Sequence, residues 1–450
     1  MKNLPRTFRD AVSITRQLGL KYLWIDSLCI LQDCEDDWHA HSASMCDIYK
    51  GATVTISADS AADCHDGIFH PMRNARKNDK QMIIYPPNGD TTNPIYVRRT
   101  SLSIFKFENE NGSHGQRFMH YASETDPLFR RGWSLQEWIL SRRVLRFGSE
   151  GLTWECEREV RCECHLGRSQ SCFPPHLHEP QREEHIAKRT RNENRKELLN
   201  NWYALVEHYT GRELTFEQDR LPALAGLAAE AVPYAYEAYL CGHWKEYCFP
   251  ESLLWTSKRT ASEIGKPHVR HPNGYYAPTW SWASINGQVS TSSNSVIRPE
   301  FRVREIHGSP ATNNLFGPLT PGAYIQAAGL TREFQVRKHE DPHCDLFDGD
   351  GYKTEPSRRV FACPPGKSQG QTFEVNLTVD VDAPGLEIGP GDILTFLLIA
   401  EKTGLVLKKK RGEAPKPGPA YERVAVFEIA SDEDRKRWEA AAVRRPVMII

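Results

Sequence analysis

Three groups of residues in this chain have the types and spacing for chemistry. The densest is Cys156-x5-Cys162-x-Cys164-His165-x6-Cys172, with His176 and His178 behind it. Thiolates and imidazoles at short spacing hold zinc tetrahedrally. The paired CxxC of a standard zinc module is absent, however, so a polar loop with incidental cysteines is the competing reading. The second group is Asp26, Ser27 and Cys29, directly after the apolar run Tyr22-Leu23-Trp24-Ile25. An acid at the carboxyl end of a parallel strand holds a ribose hydroxyl in many α/β folds, and the same residue type caps helices. Cys29 would need a histidine beside it to act as a nucleophile, and a small buried core cysteine is the alternative. The third group, Trp280-Ser281-Trp282, either stacks on a nucleobase or packs a strand against the core. The run from Lys408 to Arg411 reads as a solvated basic loop, and Asp348-Gly-Asp350-Gly351 offers too few ligand positions for calcium. There is no Gly-rich phosphate loop, HExxH or GxSxG signature.

The elements that must position these residues follow from periodicity. Phe8, Ala11, Val12, Thr15 and Leu18 form one apolar helical face, with Pro5 at its start and Gly19 just past its end. Tyr22 to Ile25 is apolar without alternation, as in a strand covered on both faces. Trp38, His41, Met45, Ile48 and Tyr49 make a second helical stripe, and Ala52 to Ile56 a buried strand. Helix and strand in alternation with short joins is the grammar of a parallel sheet. Asp59 to Phe69 is a polar loop. Gln81 to Tyr85 and Ile95 to Arg98 are strand candidates in a less regular insertion. Trp133 to Leu140 is helical, with Ser134 available as its cap, and Val144 to Phe147 and Leu152 to Trp154 are strands. Four regions result: an α/β module over 1–155, a Cys/His-bearing charged insertion or linker over 156–200, a helical region with Trp motifs over 201–295, and a β-rich domain over 296–450. In the third, Gly211 is a break and Thr215 a cap. In the last, strands such as 323–328, 373–381, 393–399 and 424–429 alternate with Pro-Gly turns before a final helix at 431–442.

Composition bounds the function. The chain has 450 residues, 39% hydrophobic and 26% charged, as in a globular protein with a sizeable core. Its formal net charge of -1 argues against electrostatic attraction to nucleic acid or anionic membrane. No apolar run approaches the roughly 20 residues of a membrane span. Without a signal-peptide core the expected location is cytoplasmic, with the 12 cysteines mostly reduced.

The blocks LPRTFRDAVSITRQLGLKYLWIDSLCILQ, DWHAHSASMCDIYKGATVTISA and RRGWSLQEWILSRRVLRFG, in this order, resemble the fungal heterokaryon-incompatibility (HET) domain family. The pieces LTFEQDRLPALAGLA, YLCGHWKEYCFPESLLW and APTWSWASINGQV resemble the segments that follow in such proteins, so the likeness covers most of residues 4 to 290. Family members have a further strand, with a Leu-Ser-Tyr-x-Trp-Gly pattern, before the first helix. Here that strand is missing from the sequence, which points to a short form or a truncated start. The resemblance implies non-self recognition and regulated cell death, with protein partners in incompatibility signalling and homo-oligomers.

HET domains have also been likened to TIR domains, flavodoxin-like parallel-sheet modules of which some cleave NAD. By that analogy the Trp133-Ser134-Leu135-Gln136-Glu137-Trp138 run resembles the TIR pattern that carries a catalytic glutamate. Glu137 is then the catalytic acid of an NAD glycohydrolase, with Asp26, Ser27, Trp133 and Trp138 as substrate-binding residues. Its carboxylate would stabilise an oxocarbenium-like state, and Trp133 and Trp138 would desolvate it and raise its pKa. Pairing of Glu137 with Arg142 or Arg143 on the surface is the alternative, and a truncated, inactive family member is a third reading of the whole chain. NAD is the expected substrate, zinc on Cys156, Cys162, Cys164, His165 and Cys172 the expected metal, and no other cofactor is implied.

Overall fold

The computed structural model describes residues 3–69, 82–84, 95–97, 103–108, 114–119, 126–149, 151–156, 159–162, 169–170, 191–235, 238–245, 249–258, 275–291, 295–335, 358–362, 373–380, 392–410 and 419–450. The chain divides into two compact units, Met1–Glu179 and Pro180–Ile450.

In the first unit, helix α1 (Arg6–Gln17) follows Pro5, whose fixed φ suits a helix start. It buries Ala11, Ile14 and Thr15. The apolar face is therefore centred one step from the Phe8–Leu18 stripe, and Leu18 is exposed. α1 ends in a Schellman arrangement: the Leu20 amide donates to the Thr15 carbonyl and the Gly19 amide to that of Arg16. Gly19 sits at φ 70°, the left-handed position expected of it.

The buried strand expected at Tyr22–Ile25 is not formed. The backbone there is extended, with Ile25 at φ -134° and ψ 122°. It has no ladder partner among the described residues, and Tyr22 is 90% exposed. An apolar run alone does not specify a strand when no neighbour takes up its hydrogen bonds. Asp26 instead opens a single turn, α2 (Asp26–Cys29). Helix α3 (Glu35–Gly51) leads to β1 (Thr55–Ser57), a shorter strand than expected. Two backbone hairpins follow, β2 (Met82–Ile84) with β3 (Ile95–Val97), and β4 (Ser103–Glu108) with β5 (His114–Met119).

Helix α4 (Trp133–Leu140) packs on α3. Ser134 does not cap it; its hydroxyl is hydrogen-bonded to the Leu128 and Arg131 carbonyl oxygens, at 2.6 and 2.7 Å, tying the preceding 3-10 turn to the helix. Strands β6 (Arg143–Gly148), β7 (Gly151–Cys156), β8 (Glu159–Cys162) and β9 (Ser169–Gln170) extend the sheet in the order β1-β6-β7-β8-β9. Among the described residues only β1 and β6 of this sheet are parallel, with Ile56 opposite Leu145 and Ser57 opposite Arg146; its other pairs are antiparallel. The expected parallel sheet is thus a mixed sheet containing one parallel pair. Ala11, Ile14 and Ile68 form the core of this face, joined by Leu23, Ile56, Ala58, Leu145 and Phe147.

In the second unit, α5 (Arg191–Thr210) and α6 (Pro222–Ala235) are separated at Gly211 as expected. A 3-10 turn, Glu217–Arg220, precedes α6; its cap position is Phe216, not Thr215, and has no side-chain cap. Strands β10 (Tyr239–Leu240) and β11 (His243–Trp244) form a hairpin turned through Cys241 and Gly242, both at positive φ. The single turn α7 (Phe249–Ser252) follows, and β12 (Thr256–Lys258) pairs with β13 (Gln288–Ser290). Trp280 and Trp282 are both buried in the core, at a 3-10 turn rather than a strand. They are not available to stack on a base.

The β-rich region holds β14 (Arg302–His307), β15 (Tyr324–Gln335), β16 (Arg358–Ala362), β17 (Phe373–Val379), β18 (Ile393–Leu398), β19 (Thr403–Lys409), β20 (Ala420–Ile429), helix α8 (Asp432–Ala440) and β21 (Val443–Ile449). β15, β18, β19 and β20 are successive antiparallel neighbours. β21 closes the ring into a barrel, antiparallel to β15 and parallel to the start of β20. Ser431 caps α8 by accepting the Asp434 amide, and Trp438 is buried against Phe427. Asp380 and Arg423 form an ion pair with neither side chain exposed, and Arg423 also donates to the Leu253 and Trp255 carbonyls. Among the described residues no helix is long and apolar enough to cross a membrane.

Candidate functional site

Glu137 lies on α4, whose buried side is Ser134, Leu135, Gln136, Trp138 and Leu140. This leaves Glu137 half-buried at the edge that meets α3. There its charge bears on Tyr49, near the end of α3. The Tyr49 ring packs edge-on against Trp24, with centroids 5.8 Å apart. Its phenol is pushed well above its ordinary pKa, first by burial and then by the charges of Glu137 and Asp26, with Arg131 acting in the opposite sense. The charges of Asp26, Arg131 and Glu137, from distant parts of the sequence, thus all bear on Tyr49. Asp26 itself is exposed at the start of α2, and one carboxylate oxygen accepts the Ser27 amide at 2.7 Å. Asp26 thus serves the turn it opens while its charge bears on Tyr49. Ser27 and Cys29 are exposed on the same turn. His41 faces Asp37 of its own helix at 3.6 Å.

The two tryptophans that flank Glu137 in sequence do other work. Trp133 packs edge-on against Trp38, 6.2 Å between centroids. Trp138 points to the sheet, where its indole N–H donates to Glu155 at 3.0 Å.

Behind Trp138 lies a buried charge network. Arg146 on β6 donates from Nε to Asp59 at 2.8 Å, places Nη1 3.7 Å from Glu155, and stacks its guanidinium 4.9 Å from the Trp138 ring centroid. Ser57 donates to the other Asp59 oxygen at 2.5 Å. Asp126 accepts the Ser149 amide. Burial would lower the Arg146 pKa, but the surrounding acids, Asp59 first, raise it above its usual value. Burial pushes the Glu155 and Asp126 carboxyls up. This network stands at the carboxyl end of the parallel pair. None of its charged members was singled out from the sequence. The signal was an arginine at an inward position of an otherwise apolar strand, two residues from buried Val144. Tyr49 was legible only as one more apolar position of the α3 stripe.

Cys156 ends β7 half-buried, and Cys162 ends β8. Cys164, His165 and Cys172 lie outside the described residues, and so do His176 and His178. Among the described residues there is no group of three or more His, Cys, Asp or Glu side chains placed to hold a metal ion.

Residues 1–137 match the model of the heterokaryon incompatibility protein (HET) family. No curated protein and no solved structure matches the chain. The matched segment spans α1 to Glu137 and so contains Asp26, Tyr49 and Glu137 of the cluster. Over residues 1–137, then, the chain is similar to the heterokaryon incompatibility (HET) family.

Proposed function

We propose that this protein acts in fungal non-self recognition, triggering cell death through its N-terminal unit, and that this unit does so by hydrolysing NAD at Glu137. The family match supports the first part. The convergence of Glu137, Asp26 and Arg131 on Tyr49 supports the second. In the reaction the bond between ribose C1′ and the nicotinamide nitrogen breaks, and its electron pair leaves with nicotinamide. The Glu137 carboxylate stabilises the oxocarbenium-like ribose. Water then adds its oxygen to C1′ and gives up a proton, yielding ADP-ribose. In this reading Asp26 accepts hydrogen bonds from ribose hydroxyls and Arg131 meets a phosphate.

The test is incubation of the purified chain with NAD across a wide concentration range, since homo-oligomers are part of the reading, with nicotinamide release as readout. Release that falls at least about a hundredfold in Glu137→Gln supports it. No release at any concentration, with Glu137→Gln still killing cells that express it, overturns the enzymatic part and leaves death to protein partners.

A further inference from the structure

We infer that the extended segment Lys21–Ile25 is a self-association edge, pairing antiparallel with the same segment of a second copy of this chain; it gives the homo-oligomers named above a surface and does not depend on NAD cleavage. The segment starts where the turn at Gly19 releases the chain, with the Leu20 amide still donating back to Thr15. It ends where Asp26 opens α2, and Ile25 just before it is extended. Among the described residues the backbone of Tyr22, Leu23 and Trp24 makes no hydrogen bond and joins no ladder. Unpaired backbone beside apolar side chains is a template for a further strand. Both faces of the segment are already held. Leu23 packs on the Ala11, Ile14 and Ile68 cluster, and Trp24 lies edge-on to Tyr49 at 5.8 Å. What stays open is the strand edge together with Tyr22, which is 90% exposed. Leu18, Leu28 and Leu31, to either side in sequence, are exposed as well.

The occupant follows from the order of the side chains. Lys-Tyr-Leu-Trp-Ile-Asp has a cation at one end, an anion at the other and four apolar residues between them. Parallel pairing of two copies would set lysine beside lysine and aspartate beside aspartate. Antiparallel pairing sets the Lys21 end of each copy beside the Asp26 end of the other, and both residues are exposed. Two-fold symmetry requires that one residue face its own equivalent. With Leu23 facing Leu23, Tyr22 of each copy stands opposite Trp24 of the other. The result is a cross-strand aromatic pair that the symmetry repeats. An unrelated extended peptide would satisfy the backbone but not this pattern of charge.

The experiment is sedimentation velocity of the full chain over a wide concentration range, with hydrogen exchange of the Tyr22–Trp24 amides followed over the same range. A dimer that forms with concentration and protects these amides as it forms is the expected result. Lys21→Glu introduces two like-charge contacts and is expected to weaken the dimer about tenfold. Tyr22→Arg, at a side chain the isolated chain leaves in water, is expected to weaken it as well. Lys21→Glu combined with Asp26→Lys restores opposite charges and is expected to recover the dimer. A monomer at every concentration overturns the inference. So does a dimer indifferent to Lys21→Glu and Tyr22→Arg, or a double variant as weak as Lys21→Glu alone. Asp26 also accepts the Ser27 amide, so should the double variant fail to fold, the wild-type amides decide. Protection that rises with dimer formation upholds the pairing. Protection that is absent, or the same at all concentrations, overturns it. Nicotinamide release enters none of these readouts, so failure here leaves the enzymatic reading to its own test.

Discussion

Arg146 is surrounded by Asp59, Glu155 and, further off, Asp126, all nearly excluded from water. Removing the guanidinium leaves acids buried without compensation, which costs about 3–5 kcal/mol. Arg146→Met is therefore expected to lower the unfolding midpoint of the N-terminal unit sharply, measured by denaturant titration, whereas exposed Arg143→Met should change it little. Asp126 gives a pH dependence of definite sign. Its folded-state pKa is raised by burial, so its contribution to stability is present below the ordinary carboxyl pKa and is lost as pH rises through the folded value. Asp126→Asn keeps an acceptor for the Ser149 amide. It should unfold at equal or higher denaturant concentration at pH 7 and flatten the decline that begins above about pH 4. A variant that retains the wild-type slope would assign that decline to other groups.

Two glycines decide how elements join. Gly67 sits at φ 90°, and a Cβ there would lie 2.7 Å from Arg6 Nε and 2.8 Å from an Asp10 carboxylate oxygen. Around it the Asp59–Phe69 loop clasps the start of α1: the Thr7 hydroxyl accepts the Gly67 amide, and Asp10 accepts that of Ile68. Gly67→Ala should cost about 1–2 kcal/mol and loosen this clasp, visible as faster amide exchange in the first turns of α1. In the barrel, a Cβ at Gly404 would run into the Leu397 carbonyl, a backbone atom that cannot step aside. Gly404→Ala is expected to destabilise the β18–β19 hairpin more than Gly67→Ala destabilises α1. The elements most legible in the sequence were those whose pattern and punctuation agree. The Gly19 stop of α1, the α3 stripe, β6, β7 and the C-terminal strands belong to this class. The segment Tyr22–Ile25 was misread because an apolar run does not say whether a partner strand is present. The candidate site was half legible: Asp26 stood out as an acid after an apolar run and Glu137 through a family analogy, but Tyr49 looked like core. A side chain with an apolar body and a polar tip gives the same helical spacing either way.

At the scale of the whole molecule, the two units are built on different principles. The first is a small mixed sheet with a modest apolar cluster and a buried charge network. The second is dense in aromatics, with Trp202, Trp244, Trp255, Trp280 and Trp282 all buried, and ends in a barrel. Within the second unit, the Ile450 carbonyl accepts both the amide and the hydroxyl of Thr279, so the last strand ties the barrel to the Trp280–Trp282 turn. Deleting 443–450 should open the barrel between β15 and β20. The expected result is loss of cooperative unfolding in the second unit, with dye binding to exposed apolar surface, while the first unit keeps its own transition.

The way β21 closes the ring also has a consequence in time. β15 needs a strand that lies far downstream, so during synthesis one side of the barrel waits unpaired until translation has passed Ile449. The sheet of the first unit is complete once Gln170 has emerged. We therefore expect nascent chains halted between these points to carry a protease-resistant N-terminal unit followed by a protease-sensitive, aggregation-prone strand set. Equal protease sensitivity of both parts on the ribosome would contradict this order. If it holds, the unit that carries Glu137 is folded before the barrel that follows it has formed.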